Sequence, residues 1–199
     1  MRYIIHRQIQ SDAPHGLRWV KAFLARFDVS LIGWVRIDFG REYKNARGQI
    51  YHKYRGLYGR CWYATPSNPT IRISCQVPGP FPCDILTRKR PVYRNADGSW
   101  QAGVHPRRGR HFYDAKTGRH WVRQYGRTTA NDLDEGIVWI VAHAAFHWLR
   151  KTRQIPGRNN EIEADAFADA RLAEFRALTR TLLMAPDRDA QLTLWGEGR

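Results

Sequence analysis

Between Gly136 and Arg153 the chain reads GIVWIVAHAAFHWLRKTR, with apolar side chains on every side of a helical wheel through its middle. A helix of that kind has no face to offer water, so it belongs in the centre of a fold with other layers around it. Polar groups interrupt the stretch well before the ~18 to 20 apolar residues that a membrane crossing needs. Asp132 and Glu135 predict a reciprocal cap at its start, with Glu135 also suiting the positive end of the helix dipole. Pro156-Gly157 closes it, so the element spans 133–153 at most.

The rest of the chain supplies the covering layers. Pro14 to Phe27 places Leu17, Val20, Phe23, Leu24 and Phe27 at helical spacing, with Asp12 as the expected cap. Ser30 to Phe39 turns to β-branched and aromatic residues and stops at Gly40, which reads as a strand. Gly56–Tyr63 and Thr70–Val77 read as two more strands, separated by the turn formers Thr65-Pro66-Ser67-Asn68-Pro69. Asn159 or Asn160 is expected to cap a last helix from Glu161 to about Met184, stopped by Pro186, with Leu192, Leu194 and Trp195 docking back. The class is α+β: a mixed sheet with one buried helix and a further helix after it.

At 199 residues the chain suits a single domain, 1–199, with a basic loop or hairpin insertion at about 78–127. That stretch is rich in Pro, Gly, His and Arg, including Arg88-Lys89-Arg90 and Arg107-Arg108-Gly109-Arg110. Asn95–Gly98 and Asp114–Gly118 read as its hairpin turns. Residues 1–60, 61–128 and 129–199 carry net charges of +8, +9 and −2. The basic field of 1–128 attracts polyanions, so nucleic acid is a candidate partner, although no nucleic-acid-binding motif accompanies it. Cys61, Cys75 and Cys83 are an odd set without CxxC spacing, which excludes a disulfide framework. With no signal-peptide pattern after Met1, a cytoplasmic protein without a membrane association is expected.

His143 and His147 lie at i and i+4, so both imidazoles project from one face of the central helix. One short loop later, Glu161 begins the last helix, where a third ligand can swing toward the pair. Asp165, one turn along on the same face, can accept the outer N–H of a ligand histidine and fix its tautomer. Glu163 points about 200° away from Glu161 around the axis and reads as a solvated residue.

HAAFH followed by ExEADAFA resembles the HExxH and ExxADxFA motifs of gluzincin-type zinc metallopeptidases. The likeness is to the CAAX-protease and ImmA/IrrE-like branches, over residues 137–170. More loosely, Tyr58-Gly59-Arg60-Cys61 with Thr70–Ser74 resembles the sheet edge of small SprT-like proteases. The resemblance implies a zincin-like fold and Zn²⁺ held by His143, His147 and Glu161, with Asp165 as orienting partner. It also implies a zinc endopeptidase whose substrate is a protein or peptide. Such substrates add as a strand to a sheet edge, for which Ile71, Arg72 and Ile73 are the candidates. An oxyanion donor is needed as well; Tyr125, His120 and His111 are near in sequence, and none is singled out.

One departure decides the chemistry. The resembled pattern has Glu directly after the first His, and here that position is Ala144. The Glu takes a proton from metal-activated water and passes it to the leaving amine. A methyl group does neither, so metal binding is expected to survive and peptide hydrolysis to fail. Two histories fit Ala144: a Glu→Ala replacement made to silence an enzyme, or a natural pseudo-peptidase with a regulatory or nucleic-acid-binding role.

Overall fold

The protein is described as a computed structural model covering residues 1–40, 42–44, 50–52, 57–77, 80–101 and 111–184. The Arg107–Arg110 cluster, Gly56, Pro186 and the tail residues Leu192, Leu194 and Trp195 lie outside the described residues.

The chain opens with β1 (Arg2–Ile5), α1 (Arg7–Asp12) and α2 (Pro14–Leu24), followed by β2 (Ile32–Phe39) and the short antiparallel pair β3 (Glu42–Lys44) and β4 (Ile50–His52). Next come β5 (Tyr58–Trp62), β6 (Ile71–Val77), β7 (Cys83–Tyr93), β8 (His111–Asp114) and β9 (Arg119–Ala130). Two helices, α3 (Leu133–Lys151) and α4 (Glu161–Met184), end the series. The class is α+β, as the sequence implies.

A four-stranded sheet runs in the order β1-β2-β6-β5. Its first three strands are parallel, and β5 pairs antiparallel to β6. Alternation in β6 sends Ile71, Ile73, Cys75 and Val77 into the core. This placement corrects one expectation. Ile71, Arg72 and Ile73 are not a free edge, because β6 is hydrogen-bonded to β2 on one side and β5 on the other. The strands that end the sheet are β5, next to β6, and β1 at the far side.

The stretch expected to be a decorating insertion is more regular than its composition suggested. β7, β9 and β8 form a second, antiparallel sheet, with β9 in the middle. The Asp114–Gly118 turn closes as expected, Gly118 N–H donating to the Asp114 carbonyl at 2.8 Å. Asn95–Gly98 is also a turn, Gly98 N–H donating to the Asn95 carbonyl at 3.0 Å, and β7 before it pairs with β9.

α3 is the centre. It is buried from Glu135 to Phe146 and again at Trp148 and Leu149, and it packs against α2, α4, β5 and β6. Phe23 of α2, fully buried, stacks on Trp19 at 5.0 Å and meets Phe167 of α4 at 6.1 Å, joining the helical layers. Asp12 does not cap α2, since it closes α1; Pro14 starts α2 and Ala13 provides no side-chain cap. The cap comes from α3 instead, where Asp134 Oδ1 accepts from Gly16 N–H at 2.6 Å. A Cβ at Gly16 would lie 2.7 Å from the Asp134 carbonyl oxygen, so only glycine lets the helices approach this closely.

The α3 cap is half as expected. Asp132 Oδ1 accepts from Glu135 N–H at 2.8 Å, but the Glu135 carboxylate reaches back one residue further, to Asn131 N–H at 2.8 Å. It also accepts from Arg176 of α4 at 2.6 and 2.9 Å. Burial pushes the Glu135 carboxyl up, while the bonds from Arg176 and Asn131 outweigh that and hold it below its ordinary value of 4.5. A depressed carboxyl contributes its full stability above the unfolded value and loses it as pH falls through the folded one. Arg176→Ala is therefore expected to cost about 2 kcal/mol at neutral pH, the size of a bond to a charged group. Urea unfolding of the two proteins should converge as pH drops below the ordinary glutamate range; a pH-independent gap would show that the pair is not the source.

Candidate metal centre

α3 presents His143 and His147 one turn apart, their rings 5.2 Å from centre to centre. Trp139, one turn earlier, stacks on the His143 ring at 5.2 Å and 21°, and its Nε1–H donates to Asp169 of α4 at 2.9 Å. The loop 152–160 then returns the chain so that α4 starts beside the pair. Arg153 takes φ 59° and Gly157 φ 116° in making that return. Asn160 is the α4 cap: its Oδ1 accepts from Glu163 N–H at 2.9 Å, and its Nδ2 donates to Glu163 Oε1 at 3.2 Å. Glu163 also accepts from Arg158 N–H at 2.8 Å, so it ties the loop together rather than standing free in solvent.

Glu161 thereby faces both imidazoles. Oε2 lies 3.6 Å from His143 Nε2, and Oε1 lies 3.6 Å from His147 Nε2. The three donor atoms fall within 4.8 Å of one another. Tetrahedral coordination at ~2.0–2.1 Å separates neighbouring donors by roughly 3.3–3.5 Å, so this set is already near the spacing a small divalent ion requires. Two imidazoles and a carboxylate also leave a fourth position open toward solvent, since Glu161 is half-exposed. The group can hold a metal ion.

The outer side of each ring is also fixed. His143 Nδ1 is buried 2.9 Å from Asp165 Oδ1, off the ideal hydrogen-bond line, and Asp165 Oδ2 accepts from Arg88 N–H of β7 at 2.5 Å. His147 Nδ1 lies 2.7 Å from Asn159 Oδ1, while Asn159 Nδ2 donates to the Tyr63 hydroxyl at 3.1 Å. Because the amide N of Asn159 is committed to Tyr63, its oxygen must accept from His147 Nδ1–H, which leaves the Nε2 lone pair for a ligand. Burial pushes the Tyr63 hydroxyl up, with the neighbouring Cys61 and Glu161 adding to it against Asn159, so the phenol stays neutral.

All four residues expected at the metal are thus brought together. Asn159 was read only as an alternative cap. A single cap cannot use both residues of Asn159-Asn160, and that surplus amide next to a ligand is the signal sequence reasoning left unused.

Two cavities flank the centre. One, about 490 Å³, is bordered by Tyr63, Lys89, Trp121, Arg123 and His147. The other, about 530 Å³, is bordered by Tyr58, Gly59, Leu86, Tyr125 and His143. Glu161 and Arg88 border both. The pair forms a groove whose walls are β5 and β7 and whose floor is α3. Tyr125 therefore reaches the site; His111 and His120 do not, their rings packing on each other at 5.0 Å within the second sheet.

Ala144 is buried, 1% exposed, beneath β5. A Cβ at Gly59 would lie 3.3 Å from the Ala144 Cβ and 3.0 Å from Ile140 Cδ1, so glycine at 59 allows the edge strand to lie directly on the helix.

No protein-family model, curated protein or solved structure matches this chain. Among the described residues, no helix is long and apolar enough to cross a membrane.

If Asn159 and Asp165 orient the two rings, Asn159→Ala and Asp165→Asn should each weaken divalent-metal binding by about 10- to 100-fold. Competition against a chelating dye measures this, and unchanged affinity in both variants would place the metal elsewhere.

Proposed function

We propose that this chain is a zinc-binding protein on the plan of the small zincin endopeptidases, with peptide binding kept and hydrolysis suppressed at residue 144. The observation that carries this reading is the convergence of His143, His147 and Glu161 at metal-ligand spacing, with the outer nitrogen of each ring held against an oxygen acceptor. Borderline-soft zinc suits two imidazoles and one carboxylate, a donor set that leaves a coordination position free. When bound there, zinc supplies a Lewis acid that polarises a carbonyl and acidifies water.

The remaining roles fall to the chain itself. β5, antiparallel and at the end of its sheet, offers backbone groups to an extended peptide lying over the centre. α3 forms the floor of the site and β5 one of its walls, while the remaining coordination position faces solvent. No carboxylate stands at position 144 to take or deliver a proton. Glu161 is not a substitute, because both its oxygens face the imidazoles.

The 530 Å³ cavity borders Gly59, Ile140 and His143, neighbours of Ala144, and a glutamate at 144 would have to turn its carboxylate toward it. Zinc analysis of the purified protein should give about one ion per chain, lost in Glu161→Ala. Ala144→Glu should then raise cleavage of an unfolded protein substrate by on the order of 10²- to 10⁴-fold, the usual contribution of a positioned general base. No zinc after incubation with excess metal would sink the reading and return both histidines to the core.

A further inference from the structure

The two ends of the groove differ in charge. On the His143 side, which Arg88 also borders, Asp84, paired with Arg127 at 3.1 Å, and Asp165 join apolar Ile85, Leu86 and Ile140. On the His147 side the wall carries Arg88, Lys89 and Arg123, and its one carboxylate, Glu161, is turned to the imidazoles. Lys89 is partly compensated, its Nζ standing 3.8 Å from Asp169. Arg88 and Arg123 are exposed, and neither guanidinium has a carboxylate partner among the described residues. The Arg88 backbone N–H is anchored on Asp165, which fixes where its side chain starts. Arg123 lies over the Phe112 ring at 5.2 Å, a contact that uses its flat face and leaves its edge donors available.

We infer that the cavity beside His147 receives an acidic side chain, Asp or Glu, of the extended peptide held in the groove, with Arg88 and Arg123 as its partners. This deepens the proposed peptide-binding function and rests on it. Guanidinium forks match carboxylates in a way that single ammonium groups do not, and the bond to an ionised acceptor is about twice as strong as a neutral one. Since the other side of the groove is largely apolar and lacks Lys89 and Arg123, the difference also sets the direction in which a peptide lies.

The test measures anisotropy of labelled peptides on the zinc-loaded protein, the peptides differing only at two adjacent positions: Glu-Glu, Gln-Gln or Lys-Lys. Glu-Glu should bind about tenfold more tightly than Gln-Gln, with Lys-Lys weakest and the difference shrinking as salt is raised. Arg123→Glu should reverse the order without changing zinc content or the unfolding midpoint, because the side chain is exposed. Arg88→Gln, which keeps the backbone bond to Asp165, serves as the second variant and should remove most of the preference. Equal binding of the three peptides to protein carrying one zinc would overturn the inference and leave the metal centre standing. Failure to load zinc would overturn the metal reading; the same peptide series on that protein would still uphold the subsite if the order holds and reverses, and reject it otherwise. A single-stranded oligonucleotide that binds more tightly and displaces Glu-Glu would assign the cavity to nucleic acid and overturn the inference.

Discussion

The Asp165 carboxylate connects three separate parts of the chain at one point. One oxygen stands against the buried Nδ1 of His143 in α3, and the other accepts a backbone N–H from Arg88 in β7. Asp165 is 5% exposed, and a buried carboxylate without partners costs several kcal/mol. Its burial is tolerable because an imidazole nitrogen and a main-chain donor both face it. The same contacts hold the second sheet against the helices, so the groove between β5 and β7 exists because β7 is pinned there. Asp165 thereby couples the His143 ring to the position of β7, while Thr128 on Asp169 and Arg176 on the Thr129 carbonyl hold β9 to α4.

Position 144 shows how packing and chemistry compete for the same space. The edge strand lies on α3, with Gly59 set against Ile140 and Ala144. Alanine completes that contact with no polar group to satisfy. A glutamate would have to bend toward the metal-side cavity to keep its carboxylate out of the apolar interface, at the cost of a charge near Glu161. An alanine at 144 thus avoids a like-charge contact with Glu161 and keeps the interface with β5 apolar, while His143, His147 and Glu161 are untouched. A metal bound by these three residues would cross-link α3 to α4, and binding to the native state alone would stabilise the fold by mass action.

Much of this was legible in the sequence because it depends on short-range patterns. The all-round apolar helix, the i, i+4 histidines and the acidic start of α4 each follow from spacing along one helix or across one loop. The four residues Glu161, Asp165, His143 and His147 meet as that spacing implies. Edge and interior were not legible, because Thr70–Val77 and Gly56–Tyr63 have similar residue types and only the strand order distinguishes them. The second sheet was also obscured. Its β9 strand alternates Arg119, Trp121, Arg123, Tyr125 and Arg127 with smaller or polar residues, which reads as a basic loop unless a partner strand gives it two faces. The tertiary cap from Asp134 to Gly16 spans 118 positions, beyond any local pattern.

The distribution of charge now has a structural meaning. The ligands come from α3 and α4, in the third of the chain that is slightly acidic, whereas the walls of the groove come from the strongly basic first two thirds. A peptide in the groove would therefore lie between Arg88 and Arg123 on the strands and Glu161 at the start of α4. A single-sign field focused in a cleft raises the local concentration of oppositely charged ligands and speeds their arrival. On the proposed reading, the basic strands would select the ligand and α3 and α4 would hold the metal. Arg88 joins the two functions, since its amide positions His143 through Asp165 while its side chain borders both halves of the groove.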